Sequence, residues 1–130
     1  MGSPTTRTLK RLRDEGFTAC VVEKFNSFTK RRIDAFGFGD ILACHPSFGV
    51  VLVQATSGDN HAARRTKIDA DPKVAPLALA WLRSGGLIYV ESWRKGGAAG
   101  KRKSWVGRRD IAVEADGRIG RIGRIEWIEA

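Results

Sequence analysis

The chain has 130 residues, of which 42% are hydrophobic and 28% charged, a composition typical of a globular domain that buries a core without disulfides. Its longest apolar runs have the length of strands, not the roughly 20 residues of a membrane span. The N-terminus lacks the apolar run of a signal peptide. We therefore expect one cytoplasmic domain, residues 1–130, with no association with membranes.

The charge is basic and unevenly distributed. The formal net charge is +9, and Arg94 to Arg124 contains 10 basic and 3 acidic residues, against 13 and 11 in the rest of the chain. Trp93 and Trp105 accompany this segment. Such a segment favours a polyanionic partner, because neutralising phosphates releases their counterions. The alternative is a basic face that serves only solubility.

The N-terminal third begins with helix signals. Ser3-Pro4 predicts a helix start and Gly16 its end. Residues 17–25, FTACVVEKF, predict a first strand. The segment that follows, NSFTKRR, predicts an exposed basic loop, which contains Lys30, Arg31 and Arg32.

Two further strands are predicted over residues 33–44 and 49–56. Both runs are apolar on both faces, which is typical of central strands covered by helices. Cys20 and Cys44 lie in such apolar runs, so we expect two buried, reduced thiols rather than a disulfide or a metal pair.

The second half predicts two helices and more strands. A helix capped by Asp59 gives way to another that starts at Asp71-Pro72 and stops at Gly85-Gly86. Residues 87–93 then form a strand, and a crossover of this length suits a parallel neighbour. Two β-like pieces meet at Asp116-Gly117. The order αβββαβ predicts an α/β fold, with a mixed central sheet flanked by helices over residues 1–93 and a basic β tail over residues 94–130.

Polar groups interrupt the apolar middle strands. If residues 33–44 and 49–56 form a hairpin centred near Ser47, Asp40 lies opposite Gln54, and Thr56 lies on the same face. Opposed side chains are about 5 Å apart, so a carboxylate and an amide oxygen could share one cation. Alternatively, Asp40 accepts backbone hydrogen bonds and Gln54 bonds its neighbour.

Residues 9–67 resemble the PD-(D/E)XK nuclease superfamily, particularly its small phage-type and Holliday-junction-resolvase-like members. The resemblance rests on the helix with LRDEGF, the strand after it, the acid in GFGD, and the apolar strand that ends in QAT. It implies a restriction-endonuclease-like core. In that family an Asp and a Glu bind magnesium and a Lys, two residues after the Glu, assists the attacking water. Asp40 matches the first acid, while Gln54 replaces the Glu and Thr56 replaces the Lys.

These departures change the expected site. Gln54 can offer a carbonyl oxygen to a cation but no negative charge, so Glu23 or Asp34 would have to supply a second acid. The family's lysine can lie on the following helix, where Arg64 and Lys67 share a face. We expect Lys67 to take this role, the alternative being an ordinary solvated lysine.

The resemblance implies a Mg²⁺- or Mn²⁺-dependent DNA endonuclease, with branched or end-bearing DNA among its candidate substrates. Asp40, Gln54 and Lys67 would be catalytic, and Asp40, Gln54 and Glu23 would hold the metal. The residues expected to bind DNA are all basic: Lys30, Arg31, Arg32, Arg64, Arg65, Arg94, Lys95, Lys101, Arg102 and Lys103. Because cutting both strands of a duplex usually takes two sites, a homodimer is also expected.

Two other functions fit the same residues. The loss of the Glu and the Lys favours a catalytically silent nucleic-acid-binding protein on the same scaffold. A structural protein whose basic tail docks on an acidic partner is the third. A second carboxylate within about 5 Å of Asp40 would favour catalysis, because hard cations need several oxygen ligands.

Overall fold

A computed structural model of the chain describes residues 3–96 and 104–129. The helices are α1 (Pro4–Asp14), α2 (His61–Ala70) and α3 (Ala75–Arg83). The strands are β1 (Thr18–Val21), β2 (Lys24–Asn26), β3 (Arg31–Ile33), β4 (Ile41–His45), β5 (Gly49–Ser57), β6 (Leu87–Gly96), β7 (Ser104–Ala115) and β8 (Arg118–Ile128). Among the described residues, no helix is both long enough and apolar enough to cross a membrane.

Six strands form one mixed sheet in the order β1-β4-β5-β6-β7-β8, and β2 pairs only with β3. The β5–β6 pair is parallel, as the long crossover predicts, and the other pairs are antiparallel. α1 packs on one face of the sheet, while α2 and α3 pack on the other. The predicted α/β fold with a mixed sheet flanked by helices is therefore confirmed.

Each face of the sheet has its own core. On the α1 face, Leu12 and Phe17 pack against residues from β1, β4, β5 and β6. On the α2–α3 face, Ile68 and Leu82 pack against residues from β5, β6 and β7. Ala112 of β7 is fully buried there. The predicted boundary between residues 93 and 94 falls inside β6, so the basic tail continues the sheet.

Several predicted boundaries are correct for the expected reasons. Ser3 caps α1 through a hydrogen bond from the Thr6 amide. Gly16, Gly85 and Gly117 adopt the positive φ angles of +96°, +98° and +77° that these turns require. In contrast, Asp59 does not cap α2: it lies in a short 3-10 turn, and the helix begins at His61.

The predicted strand over residues 33–44 is correct only from Ile41 onward. Arg31–Ile33 belongs to the separate β2–β3 hairpin, and the sheet strand starts only at Ile41. The residues between them form a tight turn in which Phe36 and Gly37 have φ angles of +55° and +84°, values that extended strands do not contain. The first predicted strand is also shorter, because it ends at Val21 and Phe25 lies in β2.

The prediction that both middle strands are covered on both faces holds only for β5. Residues 51–56 of β5 are all buried, whereas β4 alternates between buried and exposed side chains. α2 and α3 do not reach β1 and β4, so the face that carries Cys20, Leu42 and Cys44 is open. Both cysteines are free thiols, as predicted, but they are exposed rather than buried.

Candidate metal centre

The predicted hairpin register is observed. Ile41 pairs with Val53 and His45 with Gly49, and the Asp40 amide donates a hydrogen bond to the Val53 carbonyl over 2.8 Å. Continuing this register places Asp40 opposite Gln54. The Gln54 Nε2 donates to Asp40 Oδ2 over 2.8 Å, and the Ala55 amide donates to the same oxygen over 2.8 Å.

Two chain segments bring further carboxylates to Asp40. Ala35 and Gly39 exchange backbone hydrogen bonds of 2.8 Å, which close a tight loop and set Asp34 beside Asp40. The Val22 amide donates to the Asp40 carbonyl over 2.8 Å, which extends the β1–β4 pairing to the residue before Glu23. Carboxylate oxygens of Glu23, Asp34 and Asp40 lie within 4.8 Å of one another. We call these three residues the acidic triad.

The acidic triad lies in a partly buried position, where ionised carboxylates are energetically unfavourable. Asp40 is 4% exposed, and Glu23 and Asp34 are half-buried. Burial raises the pKa of Asp40 to about 8, against the hydrogen bond from Ala55 and with the help of the Asp34 and Glu23 carboxylates. The Arg32 guanidinium lies 3.3 Å from Glu23 but is largely exposed to solvent. A cation bound among the three oxygens would offset their mutual repulsion.

Gln54 adds a polar atom beside the triad. Its side chain is 2% exposed, and its Oε1 is buried without a hydrogen-bond partner among the described residues. The strand pattern predicts that the amide oxygen faces the cation, but in the structure the amide nitrogen points toward Asp40. Rotating the amide by 180° exchanges the two atoms, and Oε1 would then face the position of a cation. Thr56 is buried on the same face.

Lys67 does not contact the triad. No hydrogen bond or ion pair joins it to these carboxylates within the described part of the chain. Arg65 and Asp69 contact β7 and β8 from one flank of α2. At 100° per residue, Arg64 and Lys67 lie on the opposite flank, which faces β4. The helix therefore turns Lys67 toward the side of the sheet that carries Asp40.

The residues expected to bind DNA fall into separate groups. Lys30, Arg31 and Arg32 are exposed on the β2–β3 hairpin, and Arg94 and Lys95 are exposed at the end of β6. Arg64 and Arg65 are half-buried on α2. Lys101, Arg102 and Lys103 lie outside the described residues.

Trp93 and Trp105 differ in their surroundings. Trp93 is 2% exposed, and its indole N–H donates to Thr8 Oγ1 over 2.9 Å, so it cannot stack on bases. Trp105 is half-buried, with the Arg7 guanidinium 3.9 Å and the Lys95 ammonium 4.7 Å from its ring centre. Only Trp105 retains the aromatic and cationic surroundings that the sequence analysis expected.

Sequence reasoning missed a second polar cluster, on the other flank of α2. His61 Nδ1 lies 2.5 Å from Ser92 Oγ, and His61 Nε2 lies 3.2 Å from Asp110 Oδ2. Burial lowers the pKa of His61, against the hydrogen bond with Asp110. Ser92 and His61 are 3% and 1% exposed, so this arrangement cannot reach a substrate, and the neutral imidazole has a structural role between α2, β6 and β7.

No protein-family model matches the chain, and comparisons with curated proteins and with solved structures likewise find no significant match.

Proposed function

We propose that the protein is a metal-dependent nuclease that hydrolyses phosphodiester bonds in DNA. The observation that carries the proposal is the convergence of Glu23, Asp34 and Asp40 within 4.8 Å. Three oxygen ligands within this distance suit one Mg²⁺ or Mn²⁺ ion. Gln54 could add a neutral ligand, because a 180° rotation of its amide would turn Oε1, which is buried without a hydrogen-bond partner among the described residues, toward the cation.

The triad supplies the charge that the substitution at Gln54 removes. In the PD-(D/E)XK pattern the hairpin provides both acids. Here Asp40 directly precedes β4, and the other two acids lie outside the strands, Glu23 between β1 and β2 and Asp34 after β3. A metal ion held there would polarise the scissile phosphate and lower the pKa of a bound water. Asp40 would anchor the ion, Glu23 and Asp34 would complete its carboxylate ligands, and Gln54 would be a neutral ligand.

Lys67 is the residue that we assign to the attacking water. Its flank of α2 faces β4, and its ammonium could reach toward the phosphate that approaches the triad. In this position a cation would stabilise the negative charge that develops on the phosphate during hydrolysis. Arg64, on the same flank, is the alternative cation.

The second candidate is a silent nucleic-acid-binding protein on the same scaffold. One observation favours it: the Gln54 and Ala55 N–H groups both donate to Asp40 Oδ2, so this oxygen is satisfied without a cation. The two candidates agree on binding of DNA and differ on hydrolysis. Cleavage assays therefore separate them.

The test uses labelled plasmid, forked and four-way-junction DNA, with Mg²⁺, Mn²⁺ or EDTA. We expect cleavage with either metal, none with EDTA, and a loss of at least about 100-fold in Asp40→Asn, since removal of one key charged group typically costs this much. Asp14→Asn is the matched control, because Asp14 is an exposed carboxylate whose ion pair within residues 3–96 and 104–129 is with Lys10. Equal cleavage by wild type and Asp40→Asn would reject the site. Salt-dependent binding without cleavage of any substrate would establish the silent protein.

A further inference from the structure

The second polar cluster extends to the surface of the sheet as a pocket rich in arginine. The pocket has a volume of about 300 Å³ and is lined by Arg65, Asp110, Arg121, Ile122, Gly123 and Arg124. Arg108 lies beside it, with its Nε 3.5 Å from Asp110 Oδ1. The guanidinium groups of Arg65, Arg108 and Arg124 therefore lie within 4 Å of the Asp110 carboxylate, and Arg121 lines the same pocket. We call this cavity the arginine pocket.

The arginines are only partly neutralised. Arg65 Nε lies 2.9 Å and Arg124 Nε 3.7 Å from the Asp110 carboxylate, and Arg121 pairs with Asp69 over 2.7 Å. In these ion pairs two carboxylates, Asp110 and Asp69, serve four guanidinium groups. His61, the other titratable group that faces Asp110, is neutral because burial lowers its pKa.

Some of the guanidinium donors lack acceptors. Nε and Nη1 of Arg121 and Nε of Arg108 are buried without a hydrogen-bond partner in the part of the chain that the structure describes. Asp110 is only 4% exposed and forms ion pairs with Arg65, Arg108 and Arg124. Its Oδ1 likewise has no hydrogen-bond partner among the described residues, so the case for a further acceptor depends on Arg121. Buried donors without acceptors are costly, and a phosphate, with several charge-assisted acceptor oxygens, would satisfy them.

The pocket and the acidic triad lie on the same face of the sheet. Gln54 pairs with Val90, Val90 with Asp110, and Asp110 with Arg124, and paired residues share a face. Asp40 lies one strand step beyond Gln54, so four strand steps separate Asp40 from Arg124, which is about 19 Å at the usual strand spacing. α2 lies over the row between them, with Arg65 on the flank nearer the arginine pocket.

We propose that the arginine pocket binds a phosphate group of the polynucleotide several nucleotides away from the phosphate at the acidic triad. A separation of about 19 Å is several times the rise of about 3.4 Å per nucleotide along one strand of B-form DNA, so the two sites would contact different phosphates of one polynucleotide. The choice of a polynucleotide as the source of the phosphate rests on the proposed function. The proposed affinity of the pocket for phosphate does not depend on that function, because it follows from the arginines alone.

The main test is binding in EDTA, where metal-dependent cleavage is prevented. Fluorescence anisotropy with labelled 20-nucleotide single strands and 20-base-pair duplexes is measured over a series of salt concentrations. The test variant is Arg121→Gln/Arg124→Gln. The matched control is Arg83→Gln/Arg118→Gln, which removes the same charge from exposed positions outside the pocket.

We expect the pocket variant to bind DNA at least about 10-fold more weakly than wild type. Its plot of log affinity against log salt concentration should also be less steep, by about 0.9 for duplexes or 0.7 for single strands for each phosphate contact that is lost. The control variant Arg83→Gln/Arg118→Gln should show smaller changes in both the DNA affinity and the slope of the salt plot. Arg124→Gln alone, which alters a side chain that is 55% exposed, covers the case in which the double variant does not fold. It should show a smaller loss in the same direction.

A second measurement identifies the source of the phosphate. Inorganic phosphate is titrated by calorimetry into wild type and Arg124→Gln at constant ionic strength. One outcome is that wild type binds inorganic phosphate, Arg124→Gln does not, and both bind DNA equally well. This outcome would overturn the assignment to a polynucleotide and leave a pocket for a free phosphate group. Variants that bind both ligands as the wild type does would overturn the proposal. Pocket-dependent DNA binding without cleavage would reject the proposed nuclease and support the pocket.

Discussion

Asp40 shows how one residue can be interpreted correctly from the sequence while its surroundings cannot. Its position opposite Gln54 follows from the period of two along a strand and from the short turn near Ser47, and both are local properties. The approach of Asp34 depends on a tight loop closed between Ala35 and Gly39. Apolar Phe36 and Phe38 make that loop look like a strand in the sequence.

The first prediction concerns the proton on Asp40. Because its pKa is raised to about 8, the carboxyl group is mostly protonated at pH 7, and a cation that binds there must displace the proton. We expect release of about one proton per Mn²⁺ ion bound at pH 7. Calorimetry in buffers with different ionisation enthalpies measures this number.

Variants of the acidic triad show whether the released proton comes from Asp40 or from another titrating group. Asp40→Asn should lose both the binding and the release, while Glu23→Gln and Asp34→Asn should weaken binding. Asp14→Asn should behave as wild type. If Mn²⁺ binds Asp40→Asn as tightly as it binds wild type, the acidic triad is not the metal site.

The second prediction concerns Gln54→Glu, which restores the acid of the PD-(D/E)XK pattern. The new carboxylate would lie beside Asp40, where like charges repel in the absence of a cation. We expect a lower midpoint of thermal unfolding in EDTA and tighter binding of Mn²⁺ than in wild type. Thermal unfolding with and without Mn²⁺ measures both effects.

Gln54→Ala is the control for loss of packing, because it should lower the midpoint without tightening metal binding. A Gln54→Glu variant that is destabilised equally with and without Mn²⁺ would mean that the carboxylate does not face a cation. In an active enzyme the change should alter the cleavage rate only modestly, with Asp40 remaining essential.

At the scale of the elements, strand exposure was the feature that sequence patterns predicted least well. The β4 run is apolar at every position from Ile41 to Cys44, yet Leu42 is 38% exposed and Ile41 is fully buried. Apolar composition indicates that a strand can be covered on both faces, but the reach of α2 and α3 decides whether it is. That reach depends on the positions of helices more than 15 residues away in the chain.

The third prediction follows from this open face of β1 and β4. Cys20 pairs with Leu42 and Thr18 with Cys44, so the two cysteines are diagonal neighbours with Cβ atoms about 7 Å apart. That distance exceeds the roughly 4 Å of a disulfide. We expect both thiols to react rapidly with a thiol reagent under native conditions and to form no intramolecular disulfide.

Counting thiols by absorbance, with mass spectrometry for the disulfide, measures the outcome. Cys20→Ser and Cys44→Ser should each leave one rapidly reacting thiol. Thiols that react only in denaturant would show that something covers this face in solution.

At the scale of the whole molecule, two buried carboxyl groups with raised pKa values among the described residues, Asp40 and Glu91, lie on opposite faces of the sheet. Glu91 is fully buried, and Arg109 pairs with it and with Glu15 near the end of α1. Burial raises the pKa of Glu91 to about 7, against the effect of Arg109. Neither this ion-pair network nor the arginine pocket is visible in the sequence, because Arg109 is 18 residues from Glu91 and 94 from Glu15, and the pocket forms only where Arg65 of α2 meets β7 and β8.

The fourth prediction is that stability falls as pH rises from 6.5 to 8. A carboxyl group whose pKa is higher in the folded than in the unfolded state binds protons more readily when the protein is folded. The free energy of unfolding therefore decreases as the pH rises from the unfolded-state pKa to the folded-state pKa. For Asp40 this interval runs from 3.8 to about 8, and for Glu91 from 4.5 to about 7. His61, whose pKa is lowered from 6.5, reduces stability only as the pH falls below that value.

Urea unfolding in EDTA at several pH values between 6.5 and 8 tests this prediction. Each group should contribute a slope of at most about 1.4 kcal/mol per pH unit. Asp40→Asn should remove the slope above pH 7, and Glu91→Gln should reduce it below pH 7. Saturating Mn²⁺ should flatten the plot of unfolding free energy against pH for wild type above pH 7, because the cation replaces the proton that the folded triad otherwise needs. The same plot for Asp40→Asn should not change. A wild-type profile that is flat in EDTA would mean that Asp40 is ionised in the folded protein without a cation.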